Sequence, residues 1–185
     1  AGAGVILANA SQELKELSYL INAPVMTSLL GKGAIDETDD MALGMLGMHG
    51  RKVANDSINE SDLIIAVGIR FSDRATGRLD SFAPNSKIIH IDIDPAEIGK
   101  NVDVDLPIVG DAKNVLSSLI NVLKDYESNE DVEAKTNKTL LSKKYPAKFS
   151  AFENLYSESF VKKANLFLEK QLESFAKDCM DVLNK

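Results

Sequence analysis

Residues 63–77 read LIIAVGIRFSDRATG, and this stretch indicates the fold class. Five apolar residues in a row, most of them branched, predict a strand buried on both faces. A glycine follows immediately, and then come arginines and an aspartate, which suit a turn at the end of that strand. Residues 87–93 (KIIHIDI) repeat the pattern of an apolar strand that ends on acidic residues.

Helical segments separate these strands along the first two thirds of the chain. Residues 11–20 carry apolar side chains at helical spacing, and Asp111 is a suitable N-cap for a helix that runs to residue 123. Short apolar strands that alternate with helices predict an α/β fold with a doubly wound, Rossmann-like parallel sheet. The predicted strands are residues 24–28, 63–67, 87–93 and 108–109, and the predicted helices are 11–20, 50–60 and 111–123.

Residues suited to ligand binding follow each predicted strand. In open parallel sheets, ligands bind outside the carboxyl ends of the strands, so these residues should converge on one extended, dinucleotide-like ligand. The opening AGAG resembles a strand-to-helix turn whose strand is missing, so we expect the chain to be a piece of a longer protein. The strand-end groups are Gly2 and Gly4, Thr27 to Gly33, Gly68 to Arg74, Asp92 to Asp94, and Gly110 to Ala112.

Each residue type has a functional and a structural interpretation. Gly2 and Gly4 would let backbone N–H groups approach a pyrophosphate, or they would only permit a tight turn. Arg70 and Arg74 would bind phosphate or stack on a flat ring, or they would form surface salt bridges. Asp92 would accept hydrogen bonds from sugar hydroxyls, or it would be a solvated strand end.

Two further features carry the same ambiguity. Asp111 would bind a second sugar or an adenine, but a helix N-cap explains it equally well. Residues 44–50 (GMLGMHG) combine small residues with flexible thioethers and suit a wall against a flat ring, although a methionine-rich core loop is the alternative. His49 has no identifiable carboxylate partner and is not supported as a catalytic base.

The composition narrows the functional class. The formal charge of -7 argues against a nucleic-acid partner, because phosphate binding requires an excess of cations. No apolar run is long enough to predict a membrane span. One cysteine among 185 residues excludes an internal disulfide and favours a reducing, cytoplasmic setting. The two histidines argue against a histidine-rich metal site.

Five segments together resemble one known family. They are residues 24–35 (PVMTSLLGKGAI), 43–50 (LGMLGMHG), 62–77 (DLIIAVGIRFSDRATG), 87–101 (KIIHIDIDPAEIGKN) and 107–112 (PIVGDA). In this order and spacing they are similar to the central domain of acetolactate (acetohydroxyacid) synthase catalytic subunits, thiamine-diphosphate enzymes. The resemblance extends over residues 2–123.

The resemblance implies a reaction and a set of cofactors. The family decarboxylates pyruvate on thiamine diphosphate and joins the product to pyruvate or 2-ketobutyrate, in branched-chain amino-acid biosynthesis. Its central domain binds FAD, which has no net redox role there, while thiamine diphosphate and magnesium belong to other domains. The implied FAD contacts are Gly2, Ala3, Gly4, Ser28, Leu29, Leu46, Met48, His49, Gly68, Ile69, Arg70, Arg74, Asp92, Ile93, Gly110, Asp111 and Ala112. No catalytic residue is expected within this chain, which should be inactive alone.

The end of the chain differs in character. All 11 glycines lie before residue 124, so we predict a nucleotide-binding domain over residues 1–124 and a linker with an amphipathic helical tail over 125–185. The resemblance further implies a homo-oligomer and a regulatory small subunit. Two alternatives remain: the central domain of another thiamine-diphosphate carboligase or decarboxylase, with ADP or no ligand, and a non-catalytic nucleotide-binding module.

Overall fold

The computed structural model describes residues 1–127, and it confirms the predicted α/β class with parallel strands. Helices and strands alternate along the chain. The helices are α1 (Ala3–Leu7), α2 (Ser11–Ile21), α3 (Lys52–Glu60), α4 (Asp73–Thr76) and α5 (Ala112–Glu127), the strands are β1 (Val25–Thr27), β2 (Ala42–Met45), β3 (Leu63–Val67), β4 (Lys87–Asp92) and β5 (Leu106–Val109), and single 3-10 turns span Leu29–Gly31 and Leu79–Ser81.

The strands form two sheets in which every pair is parallel. β1 pairs with β2 in one sheet, and the other has the order β3-β4-β5. β4 is therefore central, and its residues from Ile88 to Ile91 are buried, as its apolar sequence requires. Pro107 lies in β5, an edge strand of its sheet. A proline has no N–H to donate to a neighbouring strand, and an edge strand tolerates this loss better than a central one.

Two amphipathic helices pack together beside the sheets. α2 buries Leu14 and Leu17, and α5 buries Leu116 and Ile120, each at helical spacing. Asp111 is the N-cap of α5, because its Oδ1 accepts a hydrogen bond from Asn114 N–H at 3.1 Å. The structure thus confirms the predicted cap.

The backbone of Ala1 lies between the two sheets. Its amino group donates to Met26 O at 2.7 Å, and its carbonyl accepts from Ser28 N–H at 2.9 Å. Gly2 N–H donates to Val67 O at 2.9 Å, so these first residues connect β1 to β3. A largely apolar cavity of about 140 Å³ lies beside Ala1, lined by side chains of α2, β1 and β3.

Several predicted boundaries are wrong. β2 was not predicted, and its residues were assigned partly to the glycine–methionine loop 44–50. α3 begins at Lys52 rather than residue 50. α5 continues to Glu127, so residues 125–127 are helical and not linker.

The remaining predictions for the tail lie outside the described residues, since they concern residues 128–185. Within residues 1–127, no helix combines the length and the apolar composition that a membrane crossing requires.

Candidate functional site

The carboxyl ends of β1 and β3 are held together by the backbone at the start of α1. Ser28, which follows β1, donates its N–H to Ala1, and Gly2 donates to Val67, the last residue of β3. Ser28 Oγ also accepts a hydrogen bond from Gly31 N–H at 3.1 Å, which caps the 3-10 turn after β1. The glycine loop and the turn after β3 are therefore neighbours.

The other strand ends meet in the same way. After β2, Met48 N–H donates to Arg74 O at 2.9 Å, which places the methionine beside the turn after β3. After β5, Gly110 N–H donates to Asp92 O at 2.9 Å, which joins the ends of β4 and β5. The structure thus brings the predicted ligand-binding segments to one edge of the molecule.

Gly2 and Gly4, at the start of α1, pack closely against the end of β3. Gly2 N–H and Gly4 N–H donate to Val67 O (2.9 Å) and Gly68 O (3.1 Å), so neither is free to bind a pyrophosphate. A methyl group on Gly2 would lie 2.0 Å from Gly68 O, and one on Gly4 would lie 2.6 Å from Gly68 Cα. The N–H groups of Gly2 and Gly4 are therefore already bonded to the end of β3, and the predicted approach of other backbone N–H groups to a pyrophosphate stays a prediction.

A second close approach shapes the loop after β2. A methyl group on Gly47 would lie 2.1 Å from Arg74 O, and Gly47 has a φ of +96°. The Asn55 amide holds this glycine at both ends, since Asn55 Oδ1 accepts from Gly47 N–H (2.7 Å) and Asn55 Nδ2 donates to Gly47 O (3.0 Å). These contacts of Gly47 therefore fix the position of Met48, the next residue.

The two arginines are exposed. Arg70 is 77% exposed, and its Nε lies 4.0 Å from Glu97 Oε2. Within the described part of the chain, no carboxylate lies within ion-pair distance of the Arg74 guanidinium. An exposed ion pair at 4.0 Å contributes at most about 1 kcal/mol, so both cations can bind an anionic ligand.

The two aspartates each use one oxygen for local capping. Asp92 Oδ1 accepts from Asp94 N–H at 3.0 Å, and Asp111 Oδ1 caps α5. Both residues are half-buried. Because a carboxylate has two oxygens, each residue retains acceptor capacity toward the strand-end edge. The structural interpretation of Asp111 is therefore established, and a binding role would be additional to it.

The remaining predicted residues differ in how they meet solvent. Leu46, Ile69 and Ala112 have buried side chains, so only their backbone could contact a ligand. Leu29, Met48 and Ile93 are exposed to 65%, 70% and 69%. His49 is also exposed, and no contact supports a catalytic role for it. Ala3, Gly68 and Gly110 contribute backbone at the same edge.

Two residues of this region were not singled out from the sequence. His90 is fully buried in β4, and its Nε2 lies 2.8 Å from Ile69 O. Burial lowers the pKa of His90, although the Ile69 carbonyl and the nearby Asp92 carboxylate oppose that shift. Asn101 Nδ2 donates to Arg70 O at 3.0 Å. The sequence signal that could have identified His90 is a histidine within an otherwise apolar strand.

The assembled edge fits a flat, extended, anionic molecule. Exposed apolar side chains from three strand ends offer contact area for a planar ring, and large exposed apolar residues grouped at one edge indicate a binding surface. The arginines supply charge for phosphate, and the aspartates supply acceptors for hydroxyl groups.

Comparison with known proteins identifies the family. Residues 1–119 match the family described as thiamine pyrophosphate enzyme, central domain. The chain is 57% identical over 142 residues to a probable acetolactate synthase large subunit of Methanococcus aeolicus, which covers 77% of this chain and 24% of that protein. It is 47% identical over 186 aligned positions to a probable acetolactate synthase large subunit of Methanocaldococcus jannaschii, which covers 100% of this chain and 29% of that protein.

A third relative is the acetolactate synthase large subunit of Haemophilus influenzae, 49% identical over 135 residues, or 72% of this chain and 24% of that protein. The chain thus spans about a quarter of the length of these relatives. The alignment to the Methanocaldococcus protein includes the tail, so residues 128–185 have a counterpart there. The chain belongs to the thiamine pyrophosphate enzyme family, and residues 1–119 are its central domain.

Proposed function

We propose that residues 1–124 are the FAD-binding domain of an acetolactate synthase large subunit. The observation that carries this proposal is the strand-end edge, where exposed apolar side chains, two exposed arginines and two carboxylates lie on adjacent loops. The three relatives named as acetolactate synthase large subunits support the enzyme class. The domain division at residue 124 is part of the proposal.

Each group has a distinct part in holding the flavin nucleotide. Leu29, Met48 and Ile93 would contact the planar ring through apolar and thioether surfaces. Arg70 and Arg74 would pair with the pyrophosphate, where a planar guanidinium donates two hydrogen bonds at once. Asp92 and Asp111 would accept from sugar hydroxyls through the oxygens that capping leaves free.

The full reaction requires parts that we assign to the rest of the longer protein. We propose that thiamine diphosphate and magnesium bind there, and that the substrates are pyruvate and a second 2-ketoacid. Thiamine diphosphate, when bound there, would supply the electron sink for decarboxylation of a 2-ketoacid and for formation of the new carbon–carbon bond. This chain supplies no group to that chemistry, so alone it is not expected to complete the reaction. A homo-oligomer and a regulatory small subunit belong to the same proposal.

Titration of the 185-residue chain with FAD, followed by flavin fluorescence, tests the binding role. Arg70→Ala removes a charge-assisted contact of about 1.5–3 kcal/mol, so affinity should fall about 10- to 150-fold. Arg78→Ala is the matched control, because Arg78 is also exposed but pairs with Asp80 (Nη2 to Oδ2, 2.6 Å) and belongs to none of the strand-end segments. Its effect should stay within about twofold, since an exposed charge at a distance is screened by salt.

Three results would contradict the proposal. Equal FAD affinities for Arg70→Ala and Arg78→Ala would remove the phosphate role from Arg70. Tight binding of colourless ADP with no binding of FAD would instead favour a related carboligase or decarboxylase, and an empty site for both nucleotides would favour a domain without a nucleotide ligand.

A further inference from the structure

Arg70 lies on a turn whose neighbouring side chains are both buried. We define the Arg70 turn as residues 68–71, directly after β3. Ile69 and Phe71 are 5% and 4% exposed, while the Arg70 side chain projects outward. Phe71 has a φ of +46° and Gly68 a φ of +56°, so the backbone enters and leaves the turn in the left-handed region. A non-glycine residue in that region persists only when surrounding contacts hold it there.

His90 contacts the residues on both sides of Arg70. Its Nε2 lies 2.8 Å from Ile69 O, and because a carbonyl can only accept, the imidazole must donate from Nε2. The imidazole ring also meets the Phe71 ring edge to face, with centroids 5.1 Å apart and planes at 78°. One side chain from β4 therefore restrains the backbone before Arg70 and the side chain after it.

The histidine is costly as a core residue. With Nε2 protonated, Nδ1 is a buried acceptor, and it finds no hydrogen-bond partner within the described part of the chain. An unsatisfied buried acceptor destabilises the fold, and an apolar residue of similar size would avoid that cost. Packing alone therefore does not account for a histidine at this position, whereas donation to Ile69 O does.

Asn101 holds the turn from the opposite side. It lies on the loop between β4 and β5, is exposed, and donates from Nδ2 to Arg70 O at 3.0 Å. The ion pair between Arg70 and Glu97 spans 4.0 Å and restrains the guanidinium only weakly. Gly68 O also accepts from Gly4 N–H at 3.1 Å. Three consecutive carbonyls of the turn thus each receive a donor from a different part of the chain.

We propose that His90 and Asn101 are positioning residues that fix the Arg70 turn, so that the guanidinium is directed toward the phosphate of the nucleotide. The inference rests on the proposed function, because the phosphate is that of FAD. A bidentate guanidinium contact depends on direction as well as charge. A turn that is already rigid lowers the entropy cost of binding. Loss of that rigidity should therefore weaken affinity, without direct contact of His90 or Asn101 with the ligand.

A double-mutant cycle with FAD as the probe separates positioning from a general effect. Asn101→Ala should weaken FAD binding about three- to tenfold, less than loss of the Arg70 contact itself. In the Arg70→Ala background the same change should have almost no effect, because there is no guanidinium left to direct. Asn85→Ala, at another exposed asparagine, is the matched control and should leave affinity unchanged in both backgrounds. An equal loss from Asn101→Ala with and without Arg70 would overturn the inference.

His90 requires a pair of variants, because it is buried. His90→Gln retains an N–H donor for Ile69 O, whereas His90→Leu removes it. We expect His90→Leu to bind FAD about as weakly as Asn101→Ala, and His90→Gln to recover most of the affinity. If both variants bind alike at matched thermal stability, His90 is a packing residue only. If His90→Leu does not fold, the Asn101 cycle on the protein surface decides the proposal.

A measurement without ligand distinguishes failure of this inference from failure of the proposed function. The ¹⁵N order parameter of the Arg70 amide should be about 0.85 in the parent chain. It should fall in Asn101→Ala but not in Asn85→Ala. If the parent binds no FAD, the proposed function fails, and the order parameter still decides whether these side chains hold the turn. If FAD binds and the order parameter is unchanged by Asn101→Ala, the positioning role is wrong.

Discussion

The amino group of Ala1, which is free in the isolated 185-residue chain, predicts how the stability of that chain depends on pH. Burial between the two sheets lowers the pKa of this amino group from 8.0 to about 5, because the charged ammonium loses contact with water. The folded chain therefore takes up the proton only below about pH 5, whereas the unfolded chain takes it up below about pH 8. Since the unfolded state binds more protons in this window, the contribution to stability is complete above pH 8 and is lost as the pH falls toward 5.

The size of the loss follows from the shift. Each pH unit of difference in pKa corresponds to about 1.36 kcal/mol, so a shift of about three units corresponds to about 4 kcal/mol. This is a large fraction of the 5–15 kcal/mol typical of a domain. The 185-residue chain with a free amino terminus should thus be far less stable at pH 5 than at pH 8.

Urea unfolding of the chain at both pH values, with and without an acetyl group on Ala1, measures the effect. The acetylated nitrogen keeps an N–H that can donate to Met26 O, and the acetyl group would extend toward the adjacent cavity. Burial also lowers the pKa of His90, which removes further stability on acidification, but this loss is common to both chains. The difference between the chains therefore isolates Ala1. Equal losses from pH 8 to pH 5 in the two chains would refute the reasoning.

Substitutions at Gly68 and Asp111 extend these tests to residues that support the strand-end edge. Gly68→Ala places a methyl group 2.5 Å from Gly4 Cα at a φ of +56°, whereas Gly99→Ala meets open space at a φ of +70°. Both variants should lose about 1–2 kcal/mol of folding stability to left-handed backbone strain, and Gly68→Ala should lose about 1–3 kcal/mol more to overpacking. Equal melting temperatures of the two variants would contradict the packing role of Gly68. Asp111→Ala should cost about 1 kcal/mol by exposing the α5 N-terminus, with recovery in Asp111→Ser; equal urea midpoints for all three chains would argue against the capping bond to Asn114.

Elements with a strong local signal were predictable from the sequence. β3 was predicted with its observed bounds, because five consecutive apolar residues suit only a buried strand when polar residues and a glycine flank them. The start of α5 was predicted for a similar reason, since an aspartate N-cap bonds to a backbone N–H three residues away. The parallel fold class followed from the alternation of such elements.

The meeting of the strand ends was predictable as well, because the carboxyl ends of parallel strands must lie at one edge of a sheet. The five sequence segments similar to the synthase family located the same edge, and the family assignment is confirmed. The binding roles of the individual residues stay predictions. β2 shows where local signal failed: its sequence ALGM contains a glycine and no alternation, and it is a strand because it pairs with β1.

Tertiary structure alone decided which groups at that edge are free to bind. Gly2 and Gly4 have the composition of a phosphate-binding turn, yet their N–H groups are bonded to the end of β3, more than 60 residues away along the chain. His90 looked like one more strand residue until folding placed it against Ile69 and Phe71. A sequence pattern records which donors and acceptors exist, but hydrogen bonds between distant segments determine which of them remain exposed to a ligand.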